Sequence, residues 1–131
     1  MEPQANIEAP SELDLIGAAR ASDDFRRVLV TGAHMQVVVM TIPPGGEIGA
    51  ETHPDTDQAL FFVDGDGEAI LDNEAMAVSA GDLVFVRAGV HHNFVNTGDQ
   101  PLRIATAYAP PEHEHGTVHP TRADADADEH H

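Results

Sequence analysis

The stretch "GAETHPDTDQALFF", residues 49–62, decides how the rest of the chain reads. It sets Glu51 and His53 two positions apart, passes through the turn-forming run Pro54-Asp55-Thr56-Asp57, and enters an apolar segment at Gln58. Side chains along a strand alternate between two faces. Glu51 and His53 therefore share a face, and Gln58, Leu60 and Phe62 share one on the strand beyond the turn.

The same period carries outward in both directions. Downstream, residues 67–72, 75–79, 82–88, 92–98 and 101–109 read as short strands parted by Asp-Gly, Asp-Asn, Ala-Gly and Thr-Gly-Asp turns. Upstream, residues 27–31 and 34–42 are rich in β-branched side chains. Short strands in that rhythm, with almost no helical periodicity between them, predict an all-β antiparallel sandwich or barrel. Only residues 11–24 suggest a helix, with Ser11 as cap and Leu13, Ile16 and Ala19 along one face. The expected organisation is an N-terminal arm over 1–24, a β-barrel over 25–110 and an extended C-terminal segment over 111–131. Its low-complexity acidic end, 122–131, is expected to be disordered.

Composition narrows the function. Six Lys and Arg against 23 Asp and Glu give a formal charge of −17, which excludes a phosphate-neutralising nucleic-acid surface and disfavours anionic membranes. There is no cysteine, hence neither disulfides nor thiolate chemistry. The first residues carry neither a basic region nor an apolar stretch of the signal-peptide kind. No apolar run approaches the roughly 20 residues of a membrane helix, so a cytoplasmic location is expected. Nine histidines in a chain with one tyrosine and no tryptophan are the unusual feature.

In the second half, His92, Phe94 and Asn96 share a face while His91 points away. If the common face is interior, Glu51, His53, Gln58 and His92 converge among apolar neighbours. Two imidazoles and one carboxylate on one side of a metal, with positions left open, suit non-haem Fe(II) and are also used by Zn, Mn and Ni. Gln58 is a weak neutral ligand or an orienting donor beside them. One carboxylate on a divalent ion leaves a net positive site, which suits an anionic, chelating or enolisable ligand.

These residues carry a resemblance to the cupins, specifically to small single-domain ones. The first cupin motif, Gly-x5-His-x-His-x3–4-Glu-x6-Gly, is matched in spacing by Gly45, Glu51, His53, Gln58 and Gly65. The second, Gly-x5-Pro-x-Gly-x2-His-x3-Asn, is matched by Gly81, Arg87, Gly89, His92 and Asn96. Three positions depart from it: Glu51 stands for the first His, Gln58 for Glu and Arg87 for Pro. The resemblance implies a jelly-roll β-barrel and a divalent transition metal, with the carboxylate in effect moved to the first ligand position.

Two function classes follow. One is a metal-dependent enzyme, of dioxygenase, isomerase, epimerase or dehydratase type, acting on a small polar or enolisable metabolite, with the catalytic residues left open. The other is a non-catalytic cupin that binds a small ligand or metal. The expected partners are a small molecule and, across the apolar block 27–42, a second copy of the chain. His34 and His91 read as surface or rim residues. His113, His115 and His119 lie in a proline-bearing segment that reads as a strap over the barrel edge or a pocket lid.

Overall fold

The computed structural model describes residues 11–128. Expectations for residues 1–10 and 129–131 fall outside the described residues.

Two helices and nine strands follow in the order α1 (Leu15–Ala21), β1 (Arg26–Thr31), β2 (Gln36–Ile42), β3 (Asp57–Asp64), β4 (Asp66–Leu71), β5 (Glu74–Ser79), β6 (Leu83–Val86), β7 (His92–Asn96), β8 (Leu102–Ala109), β9 (Val118–His119) and α2 (Arg122–Asp128). All strand pairs are antiparallel. One sheet runs β6-β3-β8-β2-β1-β9 and the other β5-β4-β7. The turn between β4 and β5 is the two residues Asp72 and Asn73, both at positive φ (48° and 73°). Asp and Asn tolerate that region, which two-residue hairpin turns require.

The fold is a mostly β jelly roll, but its sheets do not close into the barrel that the sequence suggests. Beside them, the segment between β2 and β3 pairs with β7 through the isolated bridges Glu47–Val95 and Glu51–His92. The core fills the space between the sheets. Val38, Met40 and Ile42 of β2, Leu60 and Phe62 of β3, and Leu102 and Ile104 of β8 face Phe94 of β7, all nearly inaccessible. The Phe62 and Phe94 rings meet with centroids 6.0 Å apart. Buried and less buried positions alternate along β3 and β7, placing Gln58, Leu60 and Phe62, and His92, Phe94 and Asn96, inward.

Both helices differ from expectation. α1 starts later than its predicted Ser11 cap: the Asp14 carboxylate accepts from Gly17 N at 3.1 Å, the usual N-cap role. Leu13 and Ile16 stay exposed, and Ala19 is the residue buried. It sits with Val39, Val63 and Ala105 on the outer face of the large sheet. α1 thus lies over β8, β2 and β3 and covers only the β2 part of the apolar block assigned above to a second copy of the chain.

The acidic end is not disordered over its described part, because 122–128 form α2. Thr121 and Asp124 cap it reciprocally: Asp124 N donates to Thr121 Oγ1 at 3.2 Å, while Thr121 N and Oγ1 donate to the Asp124 carboxylate at 3.2 and 2.8 Å. Ala125 is buried in the main core. The alternation of Ala and Asp looks like low complexity, yet it puts one small apolar side chain where the helix needs it.

The chain between β8 and α2 crosses the open end of the sheets as a strap. Gln36, fully buried on β2, fastens it. Its Oε1 accepts from Glu112 N and His113 N at 3.2 and 3.0 Å, and its Nε2 donates to the His113 carbonyl at 2.7 Å. β9 then pairs with the edge of β1, setting His119 opposite Arg26.

Candidate metal centre

Glu51 and His92 are brought together by backbone pairing. Glu51 N donates to His92 O at 2.9 Å and His92 N to Glu51 O at 2.8 Å. His53 follows two residues on, its carbonyl accepting from Gly89 N at 2.9 Å. One ligand atom from each of Glu51, His53 and His92 lies within 4.8 Å of the others. The three could hold a metal ion.

Hydrogen bonds set which ring nitrogens face that point. His92 Nδ1 lies 2.9 Å from the Val90 carbonyl, which can only accept, so Nδ1 carries the proton and Nε2 keeps a free lone pair. His53 stands between two carboxylates, with Nε2 3.1 Å from Glu51 Oε1 and Nδ1 3.2 Å from Glu112 Oε2. Glu112 also accepts from Thr56 Oγ1 at 3.1 Å. A carboxylate on the far nitrogen of a ligating imidazole fixes its orientation and raises its basicity.

Electrostatics follow this geometry. The hydrogen bonds to Glu112 and then Glu51 raise the His53 pKa to about 9, against burial. Burial works to raise the Glu51 carboxyl, but the bond to His53 and the charges of His53, Arg26 and His92 outweigh it and hold the group below the usual range. Glu112 is lowered chiefly by its bond to His53. Burial lowers His92, opposed by the Val90 bond. Burial lowers His113 to about 4, helped by the Arg26 charge. Burial raises the hydroxyl of Tyr108, whose ring packs edge-on to His53.

Gln58 is inward and 3% exposed. Its Nε2 donates to Thr106 Oγ1 at 3.0 Å, and its Oε1 is buried with no hydrogen-bond partner among the described residues. His34, His91 and His115 are exposed, His91 bonding Thr52 at 2.9 Å and His115 bonding Thr31 at 3.0 Å. A cavity of about 830 Å³ opens over Glu51 and His53, lined also by Glu112, His113, His119 and Asp128 among others. Much of its wall is the strap.

Sequence reasoning missed Glu112 and Arg26. A signal for Glu112 existed: Ala109 at the end of β8 pairs with Asp57 at the start of β3. The residues next after β8 must then pass the Pro-Asp-Thr-Asp turn that follows His53.

A family model for the Cupin domain matches residues 38–108. The chain belongs to the cupin family. This cupin is similar to the crystal structure of BH2720 from Bacillus halodurans, with a TM-score of 0.89 and 39% identity over 92% of this chain and 96% of that one. It is also 39% identical to the protein YrkC of Bacillus subtilis over 126 residues, 92% of this chain and 68% of YrkC. The structure of KdgF from a Halomonas species shares 21% identity over 66% of this chain and 78% of KdgF, with a TM-score of 0.62, and shows the fold alone. Arg26, Glu112, His113 and His119 lie outside the matched segment. No helix among the described residues is long and apolar enough to cross a membrane.

Proposed function

We propose that this cupin binds one divalent transition metal, of the Fe, Mn, Zn or Ni class, through Glu51, His53 and His92, and acts as an enzyme on a small polar or enolisable metabolite. The observation that carries the reading is the donor set: two imidazole nitrogens and a carboxylate oxygen within 4.8 Å of one another, with Glu51 and His53 in the wall of a cavity. Such a set fits a divalent ion and leaves coordination positions open. When bound, the ion supplies Lewis-acid polarisation of a carbonyl or a place for O₂ beside substrate.

The chain's own residues supply the rest. Val90 holds the His92 tautomer and Glu112 holds the His53 ring. Gln58 serves as a neutral helper, its unpaired Oε1 facing a ligand or the ion's outer sphere. Strap residues His113 and Glu112 shield the cavity from bulk water. The protein works in the cytoplasm in this reading. With α1 lying over β8, β2 and β3, a homodimer would use the apolar side chains left exposed on β6, Leu83 and Phe85 at 62% and 54%; sedimentation as a monomer removes that part.

The test is elemental analysis of untagged protein beside alanine variants. His53→Ala and His92→Ala are expected to lose stoichiometric metal, while His91→Ala and His115→Ala keep it. One metal per chain retained in the His53→Ala/His92→Ala double variant sinks the proposal. O₂ uptake against carbonyl isomerisation then separates the enzyme types, and tight ligand binding without turnover identifies a binding module instead.

A further inference from the structure

Arg26 points from β1 into the interior and is 2% exposed, the largest of the fully buried side chains. Arginine is a fixed positive charge with five donors, and a buried one is normally matched by a carboxylate because an unpaired buried charge is costly. Among the described residues no carboxylate makes an ion pair with Arg26. Its contacts are the Phe25 ring at 5.3 Å from the guanidinium carbon, His119 Nδ1 at 3.3 Å from Nη1, and the Tyr108 hydroxyl within reach. Because a guanidinium cannot accept, His119 Nδ1 is the acceptor, and its Nε2–H donates to Asp128 Oδ2 at 2.9 Å. Among the described residues Arg26 Nε is left with no partner.

His113 Nε2 is likewise buried without a partner among the described residues. The two belong to one place. The His113 ring packs on Tyr108 with centroids 5.2 Å apart, and Tyr108 packs on His53 at 6.1 Å. The Arg26 charge is felt by Glu51, Tyr108 and His113 alike. Glu51, His113 and His119 all line the cavity that opens over Glu51 and His53. A guanidinium stands behind that wall, short of an anion.

We infer that Arg26, assisted by His113, forms a carboxylate-binding subsite beside the metal centre, so that the ligand is a small acid whose carboxylate lies against Arg26 while a neighbouring hydroxyl or carbonyl oxygen faces the triad. This rests on the metal reading for the second contact but not for the first. The matched chemistry is a 2-hydroxy or 2-oxo acid rather than a diol or a sugar.

The experiment measures binding of glycolate and of ethylene glycol, its uncharged counterpart, by calorimetry on protein of known metal content. The wild type is expected to bind glycolate and to show no measurable affinity for ethylene glycol. Arg26→Met is expected to keep its metal and lose about 10- to 100-fold in glycolate affinity, the worth of a hydrogen bond to a charged group. Arg26→Lys, which keeps the buried charge if Met perturbs folding, is expected to retain part of it. Equal affinity for glycolate in wild type and either variant overturns the subsite, as does equal binding of glycolate and ethylene glycol by the wild type. Protein that takes up no metal yet binds glycolate through Arg26 upholds the subsite and overturns the metal centre instead.

Discussion

His53 is the residue on which the site turns, because each of its ring nitrogens meets a carboxylate. Glu51 was legible beside it in the sequence, since two positions on a strand share a face. Glu112 was not. It arrives from 59 positions away on a segment without periodicity, and its place is set by the amide of Gln36 rather than by any local pattern. Its removal is informative. Glu112→Gln keeps the shape but loses the charge that orients and polarises the imidazole, so Zn²⁺ affinity is expected to fall about 10- to 100-fold. Glu112→Asp should recover part of it. Competition titration against a chromogenic chelator reads this directly, and unchanged affinity would reduce Glu112 to a strap fastening.

At the scale of elements, the strands were legible and the chain ends were not. β7 carries strict alternation and β3 keeps it as far as Phe62, and the Asp-Gly and Asp-Asn turns punctuate them. α2 is seven residues long and three of them are Asp, so neither length nor apolar content marks it. Its stability comes from tertiary contact, with Ala125 in the core and Arg122 held 3.5 Å from Glu47. Gly49 makes room for that arginine: a Cβ there would come within 2.9 Å of the guanidinium, and its φ of +109° already disfavours other residues. Truncation after Thr121 is therefore expected to lower the melting temperature by at least about 4 °C, the scale of roughly 1 kcal/mol in a domain of this size. An unchanged transition would mean that α2 does not dock. Gly49→Ala should show a smaller loss of the same kind, which the truncated protein should share only through backbone strain.

For the whole molecule, the histidines set a stability optimum in pH. In metal-free protein the folded pKa of His53, about 9, lies above its ordinary 6.5. The folded state then binds the proton more tightly, so this stabilisation is fully present below about 6.5 and lost as pH rises through about 9. His113 runs the other way. Its folded value of about 4 lies below 6.5, so the unfolded chain takes up protons first and stability is lost as pH falls from about 6.5 towards 4. His92, lowered by burial, adds to the acid side. So do Glu51 and Glu112, whose lowered carboxyls stabilise above the usual carboxylate range and lose that contribution as they protonate. Melting temperatures measured in chelator from pH 5 to 10 should peak near pH 6.5–7 and decline on both sides. His53→Ala should flatten the alkaline limb and leave the acid limb, whereas saturating Zn²⁺ should reverse the alkaline limb, because a ligating imidazole must give up its proton and metal affinity then rises with pH. An alkaline limb that persists in His53→Ala assigns it to the general repulsion of a chain carrying −17 charges, and the Glu51–His53–Glu112 arrangement would then not be the one that holds in solution.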